Sequence, residues 1–146
     1  MPLNAVFNGP RMSAVSESNW AIEIHDSTLD SIEKNGSTLV AVLSAYLHSS
    51  VGSPGVSPGS GWSQTAHLQI GDGTDNGVGT PVGLSGGKVD LGDEVHDNLI
   101  PLPMTHDGPV RIELETAKGE IVVLAGNGLR VVLVGSAVRV DDFPGE

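Results

Sequence analysis

Five histidines and no cysteine set the chemistry this 146-residue chain can offer. Any metal must be held by imidazole and carboxylate, and neither a disulfide framework nor a thiolate site is possible. Trp20-Ala-Ile-Glu-Ile-His-Asp26 alternates, so Glu23 and His25 share the polar face of a strand whose other face carries Trp20, Ile22 and Ile24. Asn35-Gly36 is a strong hairpin signal. A two-residue turn there pairs Lys34 with Ser37, and unbroken register then sets His25 opposite Tyr46 and Glu23 opposite His48. His67 lies on the polar face of its own strand, Trp62 to Ile70. If that strand is a neighbour, Glu23, His25, His48 and His67 converge, and three imidazoles with a carboxylate suit zinc or another divalent metal. Against this stand the bulge expected below, which would shift the register, and the lack of any H-x-H pair.

Other motifs fail on physical grounds. Gly55-Val56-Ser57-Pro58-Gly59 spells a nucleophile elbow, but the residue after the serine must donate its N–H to an oxyanion, and Pro58 has none. Asp72-Gly-Thr-Asp75-Asn-Gly77 imitates the start of an EF-hand loop. Its twelfth position is Gly83 instead of a bidentate Glu, so only a looser site from Asp72, Asp75 and Asp90 or Asp93 would remain, with a solvated turn as the plainer reading. Asn35-Gly36-Ser37 fits a glycosylation sequon that the hairpin already explains, and Gly126-Asn127-Gly128 reads as a turn between strands. His96-Asp97-Asn98 and His106-Asp107-Gly108 read as turn punctuation.

The elements that must position these residues are strands. Thr38 to His48 carries one apolar face (Leu39, Ala41, Leu43, Ala45, Leu47), and Val110–Glu115, Glu120–Ala125 and Leu129–Gly135 are β-branched runs split by Ala117-Lys118-Gly119 and Gly126-Asn127-Gly128. Leu29 is out of phase with Ile24, which calls for a bulge near Asp26-Ser27, pinned by Asp26 accepting backbone N–H groups. A helix over Asp26 to Glu33 is the alternative. Ser49 to Gly61 and Gly71 to Gly87 read as Gly-rich loops, and His106 to Pro109 as a turn. Val89–Leu91, Asn98–Leu102 (an edge or strand end because of Pro101) and Ala137–Asp141 complete the set. The expectation is one all-β domain over residues 1–146, an antiparallel β-sandwich or partly open barrel of about eight or nine strands with little helix. Residues 1–18 read as a flexible or irregular N-terminal segment.

Seven Lys and Arg against eighteen Asp and Glu give a net charge of −11, with the cations scattered singly. No basic stripe can form, so nucleic acid is set aside as a partner, and the acidity opposes docking on anionic lipid. No apolar run approaches the ~20 residues that span a bilayer, and no secretory signal is visible, so the expectation is a soluble cytoplasmic protein.

His25-Asp26-Ser27-x-Leu29, Trp62-Ser-Gln64 and the terminal Asp142-Phe143-Pro144-Gly145 together resemble small bacterial β-rich domains of unknown function. The resemblance implies a bacterial β domain and brings no functional residues. Three readings stay open. The first is a non-enzymatic binding or assembly module without a cofactor, working as a homo-oligomer or with a protein partner through edge strands or apolar loop parts. The second is a divalent-metal protein or metal-dependent enzyme centred on Glu23, His25, His48 and His67. The third is a small-molecule carrier with a barrel interior.

Overall fold

A computed structural model describes residues 19–50 and 59–143. The Ser57 motif and residues 1–18 lie outside them. The described chain is all β, with no helix: β1 (Asn19–Asn35), β2 (Thr38–Ser50), β3 (Gly59–Ile70), β4 (Thr74–Asp75), β5 (Val82–Asp90), β6 (Val95–Asp97), β7 (Leu99–Leu102), β8 (Thr105–Thr116) and β9 (Ile121–Phe143). All pairings are antiparallel within one sheet of order β6-β5-β8-β9-β3-β2-β1-β7. β1 also pairs with β5 through Thr28–Gly83 and Leu29–Val82, which closes β1, β2, β3, β9, β8 and β5 into a barrel. The expectation of a partly open barrel holds, and β7, with Pro101, is a terminal strand as its proline requires.

The core is aliphatic. The alternating faces read from the sequence point inward: Ile22 and Ile24 on β1, Leu39 to Leu47 on β2, and Ala66, Leu68 and Ile70 on β3 are all buried. They join Ile112, Leu114, Val122 and Leu124 in one cluster. These side chains converge on the interior of the barrel. Among the described residues no helix is long and apolar enough to cross a membrane.

The hairpin and the first bulge differ in detail from expectation. Asn35 pairs with Thr38, so the turn residues are Gly36 and Ser37, not Asn35 and Gly36. Gly36 has φ +65° and Ser37 is not at positive φ, the pattern of a turn with glycine at its first central position. The bulge falls where phase demanded it. Between the pairs Glu23–Tyr46 and Thr28–Ser44, β1 carries four residues, Ile24 to Ser27, against Ala45 alone. Its pin is Ser27 instead of Asp26: the buried Ser27 hydroxyl donates to the Glu23 carbonyl at 2.8 Å and accepts the Tyr46 N–H at 3.0 Å. The segment Asp26 to Glu33 is strand, not helix.

The expected loops shrink because the strands run into them. Ser49, Ser50 and Gly59 to Gly61 belong to β2 and β3, and Val82 to Gly87 belongs to β5. His106 to Pro109 is a bulge inside β8. Gly126-Asn127-Gly128 is not a turn between strands but a bend within β9, and β9 also absorbs the separately expected strand at Ala137–Asp141. At this bend the Asn127 N–H donates to the Gly71 carbonyl at 2.7 Å and the Gly71 N–H to the Gly128 carbonyl at 3.1 Å. A Cβ on Gly126 would meet the Gly71 carbonyl oxygen, Ile70 Cγ2 at 2.6 Å and Gly73 Cα at 2.9 Å. Glycine is required there by contact with another backbone.

Candidate functional site

The β1 bulge sits where the barrel wall splits. Below it β1 pairs with β5, and above it with β7, so the chain between β6 and β7 must bridge the two strands. Asn98 does so with its backbone: its carbonyl accepts the Ile24 N–H at 2.8 Å, and its own N–H donates to the Gly87 carbonyl at 2.8 Å. Its φ of +65° is a left-handed conformation that Asn tolerates better than most residues. Gly87 has no room for a side chain, since a Cβ would lie 2.5 Å from the Glu113 carbonyl oxygen.

His25 projects from this bulge into a polar cluster. Its Nε2 is 3.0 Å from Glu23 Oε1 and 3.2 Å from Asp26 Oδ2. Glu23, His25 and Asp26 offer ligand atoms that all lie within 4.8 Å of one another, and no other such group of three occurs among the described residues. His48 adds an Nδ1 at 3.8 Å from Glu23 Oε2, reached diagonally because the bulge places Glu23 opposite Tyr46 and His48 opposite Ala21. His67 is not brought in. It pairs with Val42 and Val132, with β2 between it and β1, six residues along β3 from the Gly61 that faces His48, or roughly 20 Å at strand rise. Asp75 and Asp90 each accept a backbone N–H two residues on, at 2.9 and 2.8 Å, as ordinary turn carboxylates.

The second ring nitrogen of His25 fixes what the cluster can do. Asn98 Oδ1 accepts the His25 backbone N–H at 3.0 Å, and a backbone N–H can only donate, so the amide oxygen must lie there. The amide Nδ2 therefore faces His25 Nδ1, at 2.6 Å, and donates to it. An imidazole that accepts at Nδ1 and is neutral carries its proton on Nε2, pointed at the two carboxylates. A metal bound at Nε2 needs that nitrogen's lone pair and a proton on Nδ1 with an acceptor beyond it. The arrangement offers the opposite.

A second feature lies at the other end of β9. β8 begins at Thr105, opposite Arg130, and the Val131 N–H donation to the Met104 carbonyl at 3.1 Å is the last bond on that edge. From there to Phe143, β9 pairs with β3 alone among the described strands. A cleft of about 420 Å³ opens between Val131, Leu133 and Ala137 of β9 and Leu102-Pro103 after β7, with Trp20, Leu47 and Gln64 as further lining. Trp20 and Trp62 pack at 5.9 Å between ring centroids, and the Arg139 guanidinium lies 5.8 Å from the Trp62 ring centre. Leu133, Val134, Val138 and Val140 are 40, 41, 60 and 50% exposed, four of the six large apolar side chains so exposed among the described residues. The sequence held a signal for this surface. Leu129 to Val134 is apolar at nearly every position, where a strand covered on one face alternates.

No family model, curated protein or solved structure matches this chain.

Proposed function

We propose that this chain is a non-enzymatic β-barrel module that works by assembly or binding through the distal half of β9 and the cleft beside it. The supporting observation is the concentration of Leu133, Val134, Val138 and Val140 on one strand segment that pairs on one side only among the described strands, next to an apolar cleft. Scattered apolar residues are normal on a protein surface, whereas a contiguous group rimming a concave site marks a contact. The test compares the chain with a Val138→Asp, Val140→Asp variant. Both side chains are exposed in the single chain, so far-UV circular dichroism should not change. Concentration-dependent sedimentation or fluorescence of an anilinonaphthalene dye should be present in the parent and lost in the variant. A parent chain that gives neither signal overturns the reading.

The rival is a divalent cation such as zinc at Glu23, His25 and Asp26, supported by their convergence. The Asn98 amide weighs against it. In our reading the cluster is a clasp: one imidazole, held at both nitrogens, joins the β1 bulge to the β6–β7 bridge and steadies the split in the wall.

A further inference from the structure

An asparagine followed by glycine is prone to attack by its own backbone, because the glycine nitrogen, unhindered by any Cβ, can close on the asparagine amide carbon. The described residues hold three such pairs, Asn35-Gly36, Asn76-Gly77 and Asn127-Gly128; Asn8-Gly9 lies outside them. The reaction needs an asparagine amide free to fold back, a glycine nitrogen open to approach and a local backbone able to move. The three sites differ in these respects. Asn76 is held at both ends of its amide: Nδ2 donates to the Ile121 carbonyl at 2.9 Å and Oδ1 accepts the Val123 N–H at 2.9 Å. The Gly77 N–H is engaged as well, with Asp75 Oδ1 at 2.9 Å. Asn127-Gly128 is clamped through its backbone. The Asn127 N–H donates to the Gly71 carbonyl at 2.7 Å and the Gly128 carbonyl accepts the Gly71 N–H at 3.1 Å, which fixes the peptide between them from both sides, within β9 and next to the buried Leu129.

Asn35-Gly36 has none of these restraints. Residues 33 to 37 are all exposed, and among the described residues the Asn35 amide makes no hydrogen bond and the Gly36 N–H, in the turn, enters no backbone bond. A Cβ on Gly36 would meet nothing within 4 Å, so the approach is open. Only the terminal pair of the β1–β2 ladder, Asn35–Thr38, has to open, and such ends fray at little cost in free energy. We propose that Asn35 is a site of spontaneous covalent modification, deamidating to aspartate and isoaspartate, while the fold holds Asn76 and Asn127 unreactive. The Gly36 nitrogen loses its proton and bonds to Asn35 Cγ; the C–N bond of the side-chain amide breaks, and ammonia leaves with that proton. One water then opens the five-membered imide at either carbonyl, and no oxidant or reductant is involved. Opening at the side-chain carbonyl gives aspartate. Opening at the main-chain carbonyl gives isoaspartate, whose extra backbone methylene does not fit the two-residue turn that closes residue 35 on Thr38. Either product adds one negative charge to a chain that already carries −11.

The test needs no variant. Peptide mapping by mass spectrometry after timed incubation in mildly alkaline buffer follows the three sites together, and fragmentation that cleaves the Cα–Cβ bond separates isoaspartate from aspartate. The same incubation in concentrated guanidinium gives each site's rate without the fold, so the ratio of the two rates isolates structure from sequence. The expected result is that Asn35 reacts in the folded chain within a few-fold of its unfolded rate and yields both products, whereas Asn76 and Asn127 are slowed ten-fold or more. Slowing of Asn35 by ten-fold or more in the folded chain overturns the inference. So does a folded chain in which Asn76 or Asn127 reacts as fast as Asn35, because the hydrogen bonds named above would then not be what protects them.

Discussion

Replacing Asn98 by aspartate should turn the His25 clasp into a metal site. A carboxylate at position 98 can still accept the His25 backbone N–H, now made to Asn98 Oδ1 at 3.0 Å. Its second oxygen would stand where the amide Nδ2 stands, 2.6 Å from His25 Nδ1, and an oxygen that only accepts calls for a proton on Nδ1. The neutral ring then presents a lone pair at Nε2, beside Glu23 Oε1 at 3.0 Å and Asp26 Oδ2 at 3.2 Å. That is the carboxylate–imidazole–metal arrangement in which the outer carboxylate orients the ligand. At a zinc concentration about 100 times its dissociation constant, a site present only in the folded state adds about 2.7 kcal/mol of stability. For a domain of this size that is a rise of about 5–10 °C in unfolding midpoint. Differential scanning fluorimetry of the Asn98→Asp variant in chelator and in zinc measures it. The parent chain should shift by no more than about 1 °C, and adding His25→Gln to Asn98→Asp should abolish the gain. A parent chain stabilised by zinc as strongly as the variant would refute the tautomer argument, because the amide would then not be dictating where the proton lies.

Three further outcomes follow from local geometry. Gly126→Ala should destabilise by at least about 3 kcal/mol in urea titration, since the new methyl would strike the Gly71 carbonyl and the Gly73 backbone, neither of which can swing aside; a loss below about 1 kcal/mol would show that the bend relaxes. Ser27→Ala should cost about 1–3 kcal/mol by removing a buried hydroxyl that serves both the Glu23 carbonyl and the Tyr46 N–H, and an unchanged midpoint would mean that the bulge is held otherwise. Gly36→Val should cost roughly 1–2 kcal/mol through its φ of +65° alone, because a Cβ there meets nothing within 4 Å; Gly36→Asn should cost clearly less, and equal losses would count against a purely backbone origin.

Period-2 alternation revealed the strands because one face of each meets a single aliphatic core, and that constraint acts residue by residue. It located β1, β2 and β3 and even the bulge, since Leu29 had to regain the inward phase that Ile24 holds. Partner choice was less legible. Whether His67 meets His25 depends on which strand lies beside which, and pattern along a single strand is silent on that. Register was also at risk: the turn lies one residue later than expected and β1 carries an extra residue at Asp30 besides the three of the bulge, and together these move Glu23 from His48 to Tyr46. Asn98 was hidden for another reason. His96-Asp97-Asn98 has turn composition, and the same tolerance of positive φ that suits a turn also lets Asn98 bridge β1 and β5. Gly126 was misread in the same way, as conformational freedom where the need was space.

The exposed edge of β9 is a consequence of strand lengths, not an accident of one loop. β9 has 23 residues and its neighbour β8 has 12, so β8 cannot cover one side of β9 along its whole length. Closing the barrel removes edges only over the stretch that all six strands share. Beyond Val131 the sheet β7-β1-β2-β3-β9 continues as a curled, open wall, with its inner surface at Trp20, Leu47 and Gln64. Proteins that keep such an edge solitary blunt it with lysine, proline or inward charge. Here residues 131 to 140 contain no lysine and no proline, and Arg139 lies over Trp62. The large apolar side chains exposed there are instead Leu133, in the cleft lining, and three valines, each at least 40% exposed. A strand lengthened past its neighbour and then left apolar is the feature on which the proposed contact surface rests.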